Sequence, residues 1–167
     1  MVLRGMLAED FINYRLPSMY LAFPFCTLKC NKLNGGNVCQ NMQLMNDPKL
    51  IVISTLELCK QFIDNPISEA IVCAGLEPLD SIDDVLDLIK AMRQYYQNES
   101  DIVIYTGYTE EEVLADEKMR QILNFSNIVV KYGRYLINDT PHHDEILGVN
   151  LASSNQYAKR YNYNENR

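Results

Sequence analysis

The sequence lacks any apolar run long enough to cross a membrane. Its apolar runs, such as Ile102-Val103-Ile104-Tyr105, are much shorter than the roughly 20 residues that a membrane-spanning helix requires. It also lacks a charged-then-apolar leader that ends in small residues, so we expect a cytoplasmic protein with no membrane partner. With 47% hydrophobic and 22% charged residues over 167 positions, the composition is typical of one globular domain.

Positive charge is also scarce. The chain has 15 lysine and arginine residues against 22 aspartate and glutamate residues, which gives a formal net charge of −7. A nucleic-acid-binding surface needs an excess of positive charge, so we expect no nucleic-acid partner. Only the polar segment 157–167 is basic, through Lys159, Arg160 and Arg167. We expect residues 1–156 to form the domain and this tail to be poorly ordered or to face a partner.

The five cysteines form an odd set, and a cytoplasmic chain rarely keeps a disulfide framework. We therefore expect each cysteine to bind a metal or to be buried. Cys26, Cys30 and Cys39 lie in one long segment, 24–48, and long loops often carry function. We predict that Cys59, on a helix, and Cys73, in a strand, are buried without a ligand.

The three cysteines of segment 24–48 suit an iron–sulfur cluster better than a zinc ion. Clusters are held by thiolates, and three thiolates leave one iron of a four-iron cluster open to another ligand. A structural zinc site needs four cysteine or histidine ligands, usually in two close pairs. The only two histidines, His142 and His143, lie far along the chain, so zinc is the weaker alternative. We expect these histidines to occupy a solvated loop, although two histidines could also bind a metal or carry protons.

Strand and helix patterns alternate along the chain. We predict helices that begin near Ser54, Ser81 and Thr109, whose side chains can cap them, and we assign Glu110, Glu111 and Glu112 to the positive end of the last helix. Continuous apolar strands are expected where a parallel sheet is buried on both faces. The alternation therefore predicts a parallel α/β fold. The predicted strands are 18–23, 69–73, 101–105, 127–131 and 146–151.

The cysteine segment resembles that of the radical S-adenosylmethionine superfamily. The superfamily usually has Cys-x3-Cys-x2-Cys after its first strand, with an aromatic residue before the third cysteine. Cys26 and Cys30 match the first gap. Eight residues separate Cys30 from Cys39, and Val38 replaces the aromatic residue. Asn41 follows the third cysteine, as an asparagine often does in the superfamily.

A second segment, Gly75-Leu76-Glu77-Pro78, resembles the superfamily's Gly-Gly-Glu-Pro, with Leu76 in place of the second glycine. The superfamily uses this segment to hold the amino group at the methionine end of the cofactor. A glycine lets the backbone approach a ligand closely, and Glu77 offers an acceptor for an ammonium group. A plain strand-to-helix turn is the alternative interpretation.

Three further segments resemble one group of the superfamily, the activating proteins of anaerobic ribonucleotide reductases. Tyr105-Thr106-Gly107-Tyr108 matches the group's Tyr-Thr-Gly-Tyr. Ala152-Ser153-Ser154-Asn155-Gln156 is similar to its Gly-Ser-x-Asn-Gln. Lys131-Tyr132-Gly133-Arg134-Tyr135 lies where the group commonly has Asp-Gly-x-Phe. The glycine and the final aromatic residue match there, whereas Lys131 and Arg134 do not.

The resemblance implies a partial, open parallel α/β barrel of the radical S-adenosylmethionine type, with the site at the C-terminal ends of the strands. It implies that Cys26, Cys30 and Cys39 hold a 4Fe–4S cluster and that the cofactor is S-adenosyl-L-methionine. It also implies no catalytic side chain, because the cluster and the cofactor carry the chemistry. The cofactor-binding residues that it implies are Val38, Gln40, Gly75, Leu76, Glu77, Pro78 and Thr106.

By the same resemblance, the expected activity is that of an anaerobic oxidoreductase, which reductively cleaves S-adenosylmethionine to a 5′-deoxyadenosyl radical. The expected partner is a glycyl radical enzyme, the large subunit of an anaerobic ribonucleotide reductase, on which a glycyl radical is installed. An electron donor such as flavodoxin or ferredoxin is the second expected partner. Two alternatives stay open: a radical enzyme that acts on a small molecule or peptide, and a non-catalytic cluster-binding adaptor.

Overall fold

A mixed α/β fold built on a six-stranded sheet is the architecture of the computed structural model, which describes residues 1–162. The strands are β1 (Val2–Leu3), β2 (Gly5–Asp10), β3 (Ser18–Phe23), β4 (Ile51–Val52), β5 (Ala70–Gly75), β6 (Asp101–Tyr105), β7 (Ile128–Tyr132), β8 (His142–Asp144), β9 (Val149–Leu151) and β10 (Tyr157–Tyr161). The helices are α1 (Lys29–Asn34), α2 (Met42–Asn46), α3 (Thr55–Asp64), α4 (Ile82–Lys90), α5 (Glu110–Ala115) and α6 (Glu117–Gln121). Short 3₁₀ or π segments cover Pro78–Ser81, Ala91–Tyr95 and Ile122–Asn124.

The six strands of the main sheet lie in the order β10-β7-β6-β5-β3-β2. The four inner strands are parallel, and β2 and β10 pair antiparallel to them at the two edges. The strands predicted at 18–23 and 101–105 are confirmed as β3 and β6 with the same bounds. The partial barrel that the resemblance implies stays a prediction.

Both faces of this sheet are buried. On one face, residues of α3 and α4 such as Leu58 and Ile89 share a buried cluster with Ile71 of β5. On the other face, Tyr14 and Leu151 share a second cluster with the inner strands. Burial on both faces explains why every residue of β5 and β7 is buried. No helix within residues 1–162 is long and apolar enough to cross a membrane.

The helix starts depend on local hydrogen bonds, and two of the three predicted caps are confirmed. Ser54 Oγ accepts a hydrogen bond from Glu57 N–H at 3.1 Å, and Thr109 forms a capping box with Glu112. The predicted Ser81 cap is wrong, because Ser81 Oγ is buried without a hydrogen-bond partner. The 3₁₀ turn Pro78–Ser81 leads directly into α4, and a different side chain, the Glu77 carboxylate, caps that turn.

Of the two alternatives predicted for the basic tail, poor order is wrong for residues 157–161, and contact with a partner stays a prediction. Tyr157–Tyr161 forms β10, which pairs with β7 at the edge of the main sheet. The strand is fixed by Arg160, which donates hydrogen bonds to both carboxylate oxygens of Asp101 on β6 and to Tyr14 Oη at 2.8 Å. Arg167 lies outside the described residues.

Replacement of Arg160 by methionine is expected to lower the free energy of unfolding by about 2 kcal/mol, because it removes charge-assisted hydrogen bonds. Burial opposes the ionisation of Asp101, but the hydrogen bonds from Arg160 and Tyr14 outweigh it and lower the pKa of Asp101 from its usual 3.8. A lowered carboxylate pKa stabilises the fold above pH 3.8, and this contribution is lost as the pH falls through the lowered value. Urea unfolding of the two apoproteins should therefore show a smaller difference in unfolding free energy between wild type and Arg160→Met in acid than at neutral pH.

The matched control is Lys159→Met on the same strand. Lys159 contacts Glu110 at the surface with its side chain 49% exposed. An exposed ion pair contributes about 0–1 kcal/mol, so this variant should lose much less stability. Equal losses in the two variants would show that Arg160 contributes no more than a surface pair.

Candidate functional site

A cavity of about 320 Å³ lies where β3, β5, β6 and β7 end. The segments that leave these strands supply most of its walls, and the hairpin of β8 and β9 supplies another. Ligand sites in parallel sheets are commonly found at this carboxyl edge. The cavity is lined by Asn13, Tyr20, Cys26, Cys30, Cys39, Gln40, Asn41, Ala74, Gly75, Leu76, Glu77, Tyr105, Thr106, Gly107, Lys131, Gly133, Tyr135, Asn150, Leu151, Ala152 and Gln156.

All three cysteines of segment 24–48 line this cavity. Cys26 follows the end of β3, Cys30 lies in α1, and Cys39 lies between α1 and α2. The long gap before Cys39 is closed by one side chain, since Asn31 Oδ1 accepts hydrogen bonds from the N–H groups of Val38 and Cys39, both at 3.0 Å. This side chain turns the chain back after α1, so that the eight-residue gap still returns Cys39 to the cavity.

The donor set suits a multi-iron group rather than one metal ion. Among residues 1–162, no three histidine, cysteine, aspartate or glutamate side chains are grouped closely enough to hold a single ion. A four-iron cluster separates its thiolates more widely, and three half-buried, free cysteines around one cavity fit that requirement. Burial raises the pKa of Cys26 to about 11, so the metal-free thiol is protonated and a metal must displace its proton.

Gly75 joins the cysteine segment to the end of β5. Its φ is +87°, and a Cβ atom there would lie 2.6 Å from Ala22 Cα on the neighbouring strand. Its carbonyl oxygen accepts a hydrogen bond from Asn41 Nδ2 at 2.6 Å. Two residues later, Glu77 N–H donates to Phe25 O at 2.8 Å. The turn therefore needs glycine for its conformation and for the close approach of β3.

Glu77 ties the end of β5 to the end of β6. Its buried carboxylate accepts hydrogen bonds from Leu79 N–H at 3.1 Å, Thr106 Oγ1–H at 2.7 Å and Gly107 N–H at 2.8 Å. Burial raises its pKa to about 7, although these three donors favour the ionised form. A carboxylate has about four lone-pair sites, so little of its capacity remains for the ammonium group that we expect it to bind. The carboxylate joins the two strand ends through Thr106 and Gly107, and its binding of a cofactor ammonium group stays a prediction.

The end of β7 is fixed by the segment 152–156. Gln156 Oε1 accepts from the N–H groups of Ala152 at 3.1 Å and Ser153 at 3.3 Å, and Gln156 Nε2 donates to Gly133 O at 3.2 Å. Lys131 Nζ donates to the same carbonyl oxygen at 2.9 Å. Burial lowers the pKa of Lys131 to about 8, although Glu77 and Cys30 act to raise it.

Eight of the ten predicted ligand residues line the cavity: Cys26, Cys30, Cys39, Gln40, Gly75, Leu76, Glu77 and Thr106. Val38 and Pro78 do not line it: Val38 N–H donates to Asn31 Oδ1, and Pro78 begins the buried 3₁₀ turn. Sequence reasoning missed Asn13, Tyr20 and Asn150 as lining residues. No motif marks these three, because they reach the cavity only through the packing of distant segments.

The remaining cysteines and the histidines lie elsewhere. Cys59 and Cys73 are free and fully buried in the cluster under the helices, which confirms the prediction that they are buried. The loop predicted for His142 and His143 is wrong, because both lie in β8, paired with β9. His143 Nδ1 lies 3.2 Å from Asn150 Oδ1 and remains exposed. A metal site at these histidines is not supported within residues 1–162.

Comparison with known proteins agrees with the cysteine arrangement. A sequence profile described as a 4Fe-4S single cluster domain matches residues 18–157, which is most of the chain. The match begins at the first residue of β3 and ends at the first residue of β10, so it includes the three cysteines and the other parallel strands. No curated protein matches the chain. On the profile match and the shared cavity, the chain belongs to the 4Fe-4S single cluster domain family.

Proposed function

We propose that the chain is a radical S-adenosylmethionine enzyme, which reductively cleaves S-adenosylmethionine to a 5′-deoxyadenosyl radical. The observation that carries the proposal is the cavity that Cys26, Cys30 and Cys39 share with the turn 75–77. Three thiolates leave one iron of a 4Fe–4S cluster without a protein ligand. The turn that resembles the superfamily's cofactor-binding segment lines the same cavity as these thiolates.

When bound, the cluster supplies the electron for the cleavage, so no side chain has to act as an acid or a base. The chain has to bind and orient the cofactor and to limit the access of water. Glu77, Thr106 and Gly107 form a hydrogen-bonded wall between two strand ends. Tyr105 Oη donates to Asn13 O at 2.5 Å and so fixes the segment before β3 at the cavity. Walls held in this way keep a fixed shape around a bound cofactor.

The sheet order favours the same proposal. The parallel strands β3, β5, β6 and β7 follow one another in chain order across the sheet, and the segments after them border the cavity. A partial, open barrel of the superfamily type needs this progression of strands with the cluster at their C-terminal ends. We therefore propose that architecture together with the activity.

Within this proposal, the target is a glycine of the large subunit of an anaerobic ribonucleotide reductase, and flavodoxin or ferredoxin is the electron donor. Residues that resemble the activating-protein group support this choice, because they hold the site together. Thr106 and Gly107 fix the Glu77 carboxylate, and Gln156 fixes the carbonyl group of Gly133.

The test is cofactor cleavage by protein that has been reconstituted with iron and sulfide without oxygen. The reconstituted chain should hold about four irons. After reduction by dithionite or reduced flavodoxin, it should convert S-adenosylmethionine to methionine and 5′-deoxyadenosine, which chromatography separates. The unreduced holoprotein is the matched control and should form neither product.

A fully loaded, reduced protein that leaves S-adenosylmethionine intact would contradict the proposal and favour the non-catalytic adaptor. If cleavage occurs, electron paramagnetic resonance of the mixture with a co-purified glycyl radical enzyme tests the target. A glycyl radical signal on that enzyme is expected. Cleavage that yields no such signal would favour a small molecule or a peptide as the substrate.

A further inference from the structure

Lys131 brings a buried ammonium group to the cavity that the three cysteines line. It lies on β7 opposite Tyr105 of β6 and is 7% exposed. Its strand neighbours Val130 and Tyr132 belong to the cluster under the helices. Because successive side chains of a strand point to opposite faces, Lys131 projects from the other face, where the cavity lies.

The ammonium group of Lys131 has only part of its hydrogen-bonding capacity in use. It has three donors, and Gly133 O accepts one of them. No ion pair joins Lys131 to an acidic side chain in the part of the chain from residue 1 to 162. Glu77 is near enough to favour the charge, but its oxygens are already bonded to Leu79, Thr106 and Gly107.

A buried charge without a partner of opposite sign is strongly unfavourable, so such groups are normally paired. Lys131 is also held in place, since Gln156 donates to the same Gly133 carbonyl oxygen and is itself held by two backbone N–H groups. The site therefore presents a fixed positive charge to whatever occupies the cavity. A ligand with a negatively charged group would supply the missing partner for the Lys131 ammonium group.

We propose that Lys131 binds the carboxylate at the amino-acid end of the cofactor and makes the cavity selective for adenosine derivatives that carry this carboxylate. This inference rests on the proposed function, because it takes the ligand to be S-adenosylmethionine. It assigns to Lys131 a specificity-determining role at the cavity. The cluster, which is itself anionic, is the other group that could pair with Lys131.

The test is equilibrium binding of two probes that are not cleaved, to reconstituted protein with its full iron content. S-adenosylhomocysteine carries the carboxylate, whereas 5′-methylthioadenosine lacks the whole amino-acid end. Lys131→Met is expected to weaken S-adenosylhomocysteine binding about ten- to a hundredfold and 5′-methylthioadenosine binding by less than about twofold. Lys131→Arg keeps the positive charge and should retain most of the preference for S-adenosylhomocysteine. Lys159→Met removes an exposed lysine and should change neither affinity.

Other outcomes of these binding measurements would contradict the inference or the proposed function. Unchanged S-adenosylhomocysteine binding by Lys131→Met, with a lowered midpoint potential of the cluster, assigns the charge to the cluster. Equal weakening of both probes means that Lys131 does not act on the carboxylate. If Lys131→Met does not fold, Lys131→Gln removes the charge with a side chain that can still bond Gly133. Wild-type protein that binds neither probe contradicts the proposed function itself, whereas binding that is independent of Lys131 contradicts this inference alone.

Discussion

Cys39→Ala protein, reconstituted with iron and sulfide without oxygen, is expected to lose its cluster almost completely. Only two thiolates, those of Cys26 and Cys30, would remain at the cavity, and a cubane cluster with two protein ligands is too weakly held to survive removal of excess iron. The iron content should fall from about four per chain to less than about one, as measured by a colorimetric iron assay. The visible absorption of the cluster should disappear with it.

The prediction depends on the position of Cys39 rather than on the usual spacing of the motif. Asn31 holds the backbone of Cys39 at the cavity despite the long gap after Cys30. The two other cysteines cannot replace it, because Cys59 and Cys73 are buried on the opposite face of the sheet. Movement of either one to the cavity would require the core to unfold.

Cys59→Ala and Cys73→Ala are the matched controls, and both should retain about four irons. Each removes a buried sulfur and is expected to cost about 1–2 kcal/mol of stability, so the assay should be run well below the unfolding temperature. A Cys39→Ala protein that keeps its iron and its absorption would contradict the assignment of the third ligand. Loss of iron in either control would place a ligand outside the cavity.

Gly75→Ala is expected to destabilise the apoprotein by about 3 kcal/mol or more. The left-handed backbone at φ +87° costs a non-glycine residue about 1–3 kcal/mol. In addition, the new Cβ would lie 2.6 Å from Ala22 Cα and 2.9 Å from Phe23 N, which are backbone atoms that cannot rotate away. Overpacking of this kind adds about 1–3 kcal/mol. Urea unfolding under reducing conditions measures the total.

Gly36→Ala provides the matched control in the same protein. A Cβ at Gly36 would meet nothing within 4 Å, and its backbone is not left-handed. Its substitution should change the free energy of unfolding by less than about 0.5 kcal/mol. A loss below about 1 kcal/mol for Gly75→Ala would mean that β3 and β5 separate easily at this point, which would contradict the close approach described for the site.

The parts of the fold that depend on local sequence could be predicted. The capping side chains of Ser54 and Thr109 act on residues three positions away, so their partners can be read beside them. Strand β6 is a continuous apolar run because it is buried on both faces. Ser81 does not cap α4. The Glu77 carboxylate instead caps the 3₁₀ turn that leads into α4, and the spacing of the residues does not indicate this.

Other missed features depend on contacts between residues that are separated in the sequence. Strand β10 is polar in sequence, but it pairs with β7, and its Arg160 bonds to Asp101, 59 positions earlier. The turn at Gly75 could be predicted, but the engagement of the Glu77 carboxylate could not, because its partner Thr106 lies 29 positions away. The cysteine segment could be identified from its composition. The two hydrogen bonds that Asn31 Oδ1 accepts across its long gap required the structure.

The cavity walls come from nearly the whole length of the chain, from Asn13 to Gln156. During synthesis, Cys26, Cys30 and Cys39 leave the ribosome several seconds before Gln156, since translation adds about 5–20 residues per second. Throughout that interval the nascent chain has its thiols but not the finished cavity. We therefore expect cluster delivery to follow translation, because a chain that stops before β7 would have the three thiols but lack the walls that residues 131–156 supply.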